Sequence, residues 1–180
     1  MSVKSWLDAI TIKCKAPFAV ALIAVSLASL PNRSVVAGEA PADRVLSIVD
    51  PDDVSKLYAG KTWLWPDGAG FFAEDGQFRG WSGSGEYAVY GVGNWWVNGD
   101  GSLCFRASWY TKHGATGGTS CFAHRLSGNI LYQKENPSGA WYVFMSDPAK
   151  PDDEFAMLKS GDLIEPKFQA VQAQLGTETP

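Results

Sequence analysis

Histidine and cysteine are scarce in this chain, with two of the former (His113 and His124) and three of the latter in 180 residues. Structural zinc sites gather four such side chains at close spacings, and no CxxC-type or paired-histidine spacing is present. Basic residues are also few, Lys and Arg totalling 15 against 19 Asp and Glu. A nucleic-acid binder needs a basic stripe that displaces counterions from phosphate, and none is visible. Nucleic acid is therefore set aside as a partner, and no metal or cofactor is expected. The serine nucleophile elbow, Gly-x-Ser-x-Gly, is missing too. "GWSGSGEY" comes near it but fails around Ser82, where position 84 is Ser84, and around Ser84, where position 82 is Ser82. Gly68-Ala69-Gly70 and Gly91-Val92-Gly93 lack the following helix that a phosphate cradle uses. No catalytic residue is assigned.

Long apolar runs are absent apart from Ala16–Leu30, "APFAVALIAVSLASL". That run is short for a membrane-spanning helix, which wants about 20 apolar residues. Lys4, Lys13 and Lys15 precede it, Pro31-Asn32-Arg33 break it, and Val35-Val36-Ala37 supply small residues. This succession reads as a secretory signal peptide over residues 1–37, cut after Ala37, with no stable membrane span left after its removal. Residues 38–180 are then a single exported β domain, expected in the periplasm. Cys104 and Cys121 remain as a pair in an oxidising compartment, which reads as one disulfide.

What the chain has in abundance is aromatic residues, among them 8 Trp, interleaved with 19 Gly. Short aromatic and β-branched runs near 61–65, 69–74, 77–82, 86–97, 102–111, 118–126, 129–135 and 140–146 are broken by turn residues such as Glu74-Asp75-Gly76 and Asn98-Gly99-Asp100-Gly101. Connections this short force antiparallel neighbours. The fold class is therefore mainly β: an antiparallel meander of about eight strands over 61–146, barrel-like or strongly curled, with helices near 51–59, 151–160 and 167–175. The two later helices and the first carry capping or spacing signals, as in Asp50-Pro51-Asp52-Asp53 and its echo Pro151-Asp152-Asp153-Glu154.

Alternation assigns faces. Leu103, Phe105, Ala107 and Trp109 share one, while Cys104 and Arg106 share the other, and the same reading puts Cys121 beside Arg125 on the outer face. His124 falls on the apolar face with Phe122 and Leu126. There it reads as a hydrogen-bonded core histidine, with a ligand anchor or a general base as the functional alternative. Glu74, Asp75 and Glu86 are the carboxylates considered as its partners. Trp63 and Trp65 share a face, and Trp95 and Trp96 cannot both point inward. These four and Trp109 read first as core, and second as stacking surfaces for a small apolar or glycan ligand. A non-enzymatic binding protein is the leading expectation. An envelope protein that uses exposed aromatics against a protein partner comes next, and then a carbohydrate-acting enzyme.

The ordered blocks "KTWLWPDGAGFF", "WSGSG", "GNWWV", "LCFRASW", "CFAHRL", "LYQKENPSGAWYVF" and "DEFAMLKSGDLI" resemble the domain of unknown function 995 family, over about Lys56 to Glu165. That family comprises exported proteins, largely from alphaproteobacteria. The resemblance implies a bacterial envelope setting and carries over no catalytic residues.

Overall fold

The computed structural model describes residues 46–176, so the expected signal segment 1–37 lies outside the described residues. The first element is a two-residue strand, β1 (Ser47–Ile48), and helix α1 (Pro51–Tyr58) follows it. Asp50 caps α1 by accepting from the Asp52 N–H at 2.8 Å, and Pro51 supplies a preset φ in the first turn. The helix buries Val54 and Tyr58 and ends at Ala59, followed by Gly60 with φ 69°.

Strands β2 (Lys61–Trp65), β3 (Gly68–Phe72), β4 (Gln77–Ser82), β5 (Val89–Val97), β6 (Ser102–Thr111), β7 (Gly114–Ser127), β8 (Ile130–Asn136) and β9 (Tyr142–Met145) then form an antiparallel meander. β10 (Leu158–Ser160) returns to pair with β2, so the sheet runs β10-β2-β3-β4-β5-β6-β7-β8-β9, and β1 pairs with β7. The sheet is a strongly curled half-barrel, and a 3-10 turn at Glu154–Met157 packs between its end strands β9 and β10.

Glycine makes the curl. Gly70, Gly80 and Gly91 are successive cross-strand partners, flanked by Trp63 and Trp109 in the same row. A Cβ on Gly91 would lie 2.7 Å from the Trp109 ring, so the indole rests directly on bare backbone. At Gly93 a Cβ would lie 1.8 Å from the Arg106 carbonyl oxygen, a closeness between β5 and β6 that only glycine permits. Over this floor the inner face is filled by rings in mutual contact. Phe78 stacks on Phe105 at 4.4 Å, and Phe72 meets Phe78, Trp95 and Phe105 at 5.2, 5.7 and 6.0 Å. Tyr58 of α1 plugs the interior against Trp63, Phe72, His124 and Phe144.

The outer face of β3 to β5 carries a second core. Helix α2 (Glu165–Leu175) lays Phe168 and Val171, with Ile164 before it, on Ala69, Ala88 and Tyr90. Arg79 fastens its start, donating to Glu165 at 2.7 Å and Asp162 at 2.6 Å. Also on the outer side, Cys104 and Cys121 are register partners joined by a disulfide.

Two sequence expectations need correction. The helix expected over 151–160 is a 3-10 turn and a strand instead, because the Asp153 carboxylate is used differently. It accepts from the Ser146 N–H (2.9 Å), the Ser146 hydroxyl (2.8 Å) and the Lys150 N–H (2.8 Å), folding the chain back so that Leu158–Ser160 can pair with β2. Burial pushes this carboxyl's pKa up, but the backbone N–H groups of Lys150 and Ser146 outweigh it and leave the pKa below its ordinary value. β7 also starts at Gly114 rather than 118, since its pairing with β6 continues to the turn at Lys112-His113.

Candidate functional site at the seam of the sheet

The inner face holds one buried polar cluster. His124 on β7 is fully buried, with Nδ1 3.3 Å from the Gly101 carbonyl oxygen. That contact assigns the proton to Nδ1, which donates to the carbonyl and leaves Nε2 as an acceptor. Nε2 lies 3.0 Å from the Tyr58 hydroxyl and 2.8 Å from Gln133 Nε2. Gln133 also donates to the Tyr58 oxygen at 2.7 Å and accepts from the Tyr142 hydroxyl. Every polar group in this set then has a partner with the imidazole neutral. Burial, outweighing the bonds from the backbone, depresses the His124 pKa to about 4. It also pushes both Tyr58 and Tyr142 up, so neither phenol ionises at ordinary pH.

The cluster continues to the seam, where the 3-10 turn bridges β9 to β2 and β10. Trp63 donates its indole N–H to Glu154 at 2.8 Å, and its ring meets Phe122 edge-on at 5.1 Å. The Glu154 charge lies close enough to contribute to the raised pKa values of Tyr58 and Tyr142. Glu135 follows Gln133 by two residues, which gives it the same face of β8, and pairs across with Phe122. Half-burial raises its pKa. Among the described residues neither Glu135 nor Glu154 takes part in an ion pair. Trp65, two residues on from Trp63 and on the same face, lies half-buried over Gly68 and Gly70.

The structure thus brings His124, Trp63, Trp65, Trp95 and Trp109 to the inner face and sends Trp96 outside. Trp95 is buried and donates to the Ala73 carbonyl at 2.8 Å, whereas Trp96 is 39% exposed and donates to Asn98. The three carboxylates considered for His124 are not its partners. Glu86 is exposed and pairs with Lys112 at 2.9 Å, Asp75 accepts from the Gln77 N–H, and Glu74 is exposed beside Gly60. The reason is the curl, which carries the turn before β4 and the segment before β5 away from the middle of β7. Sequence reading missed Tyr58, Gln133, Glu135, Tyr142 and Glu154. The period of two that placed His124 inward would have found Gln133 and Glu135, which alternate with the outward Tyr132 and Lys134 on β8. Among the described residues no three His, Cys, Asp or Glu side chains converge in a way that could hold a metal ion.

Fold and site together define a mainly β protein whose curled sheet is plugged by a helix and carries an aromatic and carboxylate-lined seam. The chain belongs to the family described as "Protein of unknown function (DUF995)", whose profile matches residues 21–164. No curated protein and no solved structure matches the chain. No helix among the described residues is long and apolar enough to cross a membrane.

Proposed function

We propose that this is a non-enzymatic binding protein, exported to the periplasm by its first 37 residues, that takes a small sugar-like ligand at the seam rather than in the interior. The observation that carries this reading is the composition of the seam. The half-buried ring of Tyr142 stands beside two half-buried carboxylates, Glu135 and Glu154, that no cation neutralises among the described residues, and the buried rings of Trp63 and Phe122 lie beneath them. Sugars present apolar C–H faces that stack on rings, and hydroxyls that donate to carboxylate oxygens. The filled centre, with Phe72, Phe78, Phe105 and Trp95 in mutual contact, supports a ligand at the rim and disfavours one enclosed by the sheet. That same filling gives the second reading, an interaction protein of the envelope, its own support.

Titration calorimetry with a panel of neutral mono- and oligosaccharides tests the proposal. Glu135→Gln, a half-buried position in the seam, is expected to weaken binding at least tenfold, about 1.4 kcal/mol, while leaving the fold intact. Equal affinity in the variant would remove the seam from consideration. Turnover of the titrated sugar would instead make the protein an enzyme.

A further inference from the structure

One edge of the sheet is left open. β8 pairs with β7 only from Cys121 to Ser127, so the stretch Gly114–Ser120 of β7 is bonded on its β6 side and, among the described residues, has no strand on the other. Gly114 to Thr119 are all exposed and Ser120 is half-buried. The stretch is nevertheless held firmly by β6, where Trp109 rests on the glycine floor inside and Tyr110 stacks on Tyr90 outside at 4.8 Å.

Its composition is unusual for an open edge. Exposed edges are ordinarily blunted by Lys, Pro, a bulge or a covering loop, yet "GATGGTS" has no charge, no proline and no bulky side chain. Two of its glycines are not demanded by the fold. Gly117 and Gly118 have no positive φ, and a Cβ there would meet only the Ala107 carbonyl oxygen at 4.0 Å or nothing at all. Glycine in a strand weakens it, and its remaining use is to admit another backbone closely.

We propose that this edge is where two copies of the chain associate, β7 pairing antiparallel with β7 about a two-fold axis through Gly117. The two-residue turn Lys112-His113 makes Thr111 and Gly114 the closing pair, so alternate residues Ala115, Gly117 and Thr119 turn their backbone groups outward. A two-fold at Gly117 sets Gly117 against its own copy, Ala115 against Thr119, and Gly114 against Ser120. The open stretch begins just after the turn and ends just before β8, so this register uses all of it and stops each edge where the other's β8 begins. The absence of charge matters in a chain of net charge −4, because this edge brings no like charges face to face. The pairing leaves the seam untouched and does not depend on the proposed ligand.

Sedimentation velocity on the protein as isolated from cells is expected to show a concentration-dependent dimer. Hydrogen exchange should find the amides of Ala115, Gly117 and Thr119 protected as the dimer forms. Two double variants test the register: Ala115→Lys with Thr119→Lys, and Ala115→Glu with Thr119→Glu. Each alone should be monomeric and melt as the wild type does when diluted to monomer, since both positions are exposed, and an equimolar mixture should recover the dimer. A wild type that stays monomeric overturns the proposal, as does a dimer that survives in either variant or a mixture that fails to pair. Edge amides protected equally at every concentration would also overturn it, by showing that the chain's own segments cover the edge.

Discussion

Cutting His124 back to a methyl group would strip Nε2 from Tyr58 and Gln133 and open space beside Phe144. His124→Ala is expected to destabilise by about 1–3 kcal/mol, and His124→Gln to recover part of it by restoring a hydrogen bond at similar volume. The same residue sets a pH response. Its imidazole takes up a proton near 6.5 when unfolded but only near 4 when folded. The folded pKa is the lower one, so the stability it contributes is complete above about 6.5 and is lost as pH falls toward 4, at most about 3 kcal/mol. Glu135 works in the opposite direction, because its raised pKa makes the folded state the better proton acceptor. Asp153, with its lowered pKa, adds to the loss only below its ordinary value of 3.8. Thermal melts between pH 7 and 4.5 should therefore fall for the wild type and flatten in His124→Gln; an unchanged acid slope would contradict this account. Alternation was enough to put His124 and Trp109 on the apolar face and Trp63 and Trp65 on one side, but it left open which of Trp95 and Trp96 points in. The partners were hidden because Tyr58 comes from a helix 66 residues away, and only the curl brings it in.

Elements were legible where local chemistry and tertiary demand agree. Asp50-Pro51 gives a helix because Tyr58 and Val54 have an interior to fill, and the turns between β4 and β9, apart from Lys112-His113, carry their own glycines. Asp153 shows the opposite case. The nearly identical Pro151-Asp152-Asp153-Glu154 does not start an α-helix, because its aspartate is spent on Ser146 and Lys150 and the following residues complete the sheet at β2. That turn also delivers Glu154 to Trp63, so an error over one element concealed half of the seam. Asp153→Ala should cost about 2–4 kcal/mol, less than the sum of three charge-assisted bonds because the exposed part of the turn can rehydrate. Loss of the turn should also free the Trp63 indole from Glu154 and shift tryptophan emission. Asp153→Asn, which keeps acceptor capacity at one oxygen, should fall between. A melt and spectrum identical to wild type for Asp153→Ala would mean that β10 is held by its pairing with β2 alone.

At the scale of the whole described domain, one sheet serves as the wall of two cores. β3 presents Gly70 and Phe72 inward and Ala69 outward, and β5 presents Gly91 and Trp95 inward and Tyr90 outward, beneath α2. The inward glycines give these strands little side-chain packing of their own along that row, so their outer faces need the helix. Phe168 is the centre of that contact, nearly fully buried, with its ring edge-on to Tyr90 at 5.6 Å and the Arg79 guanidinium 5.7 Å above it. Phe168→Ala should cost about 3–4 kcal/mol through lost transfer energy and the cavity left behind. Because the strands are shared, that loss should lower a single cooperative transition followed alike by far-ultraviolet signal and by the tryptophans of the inner face. If α2 were merely laid on a self-sufficient half-barrel, the helix would melt first and the inner tryptophans would report the wild-type midpoint. Coincident midpoints in Phe168→Ala would establish that the aromatic interior, and the seam it supports, depend on a helix on the other side of the sheet.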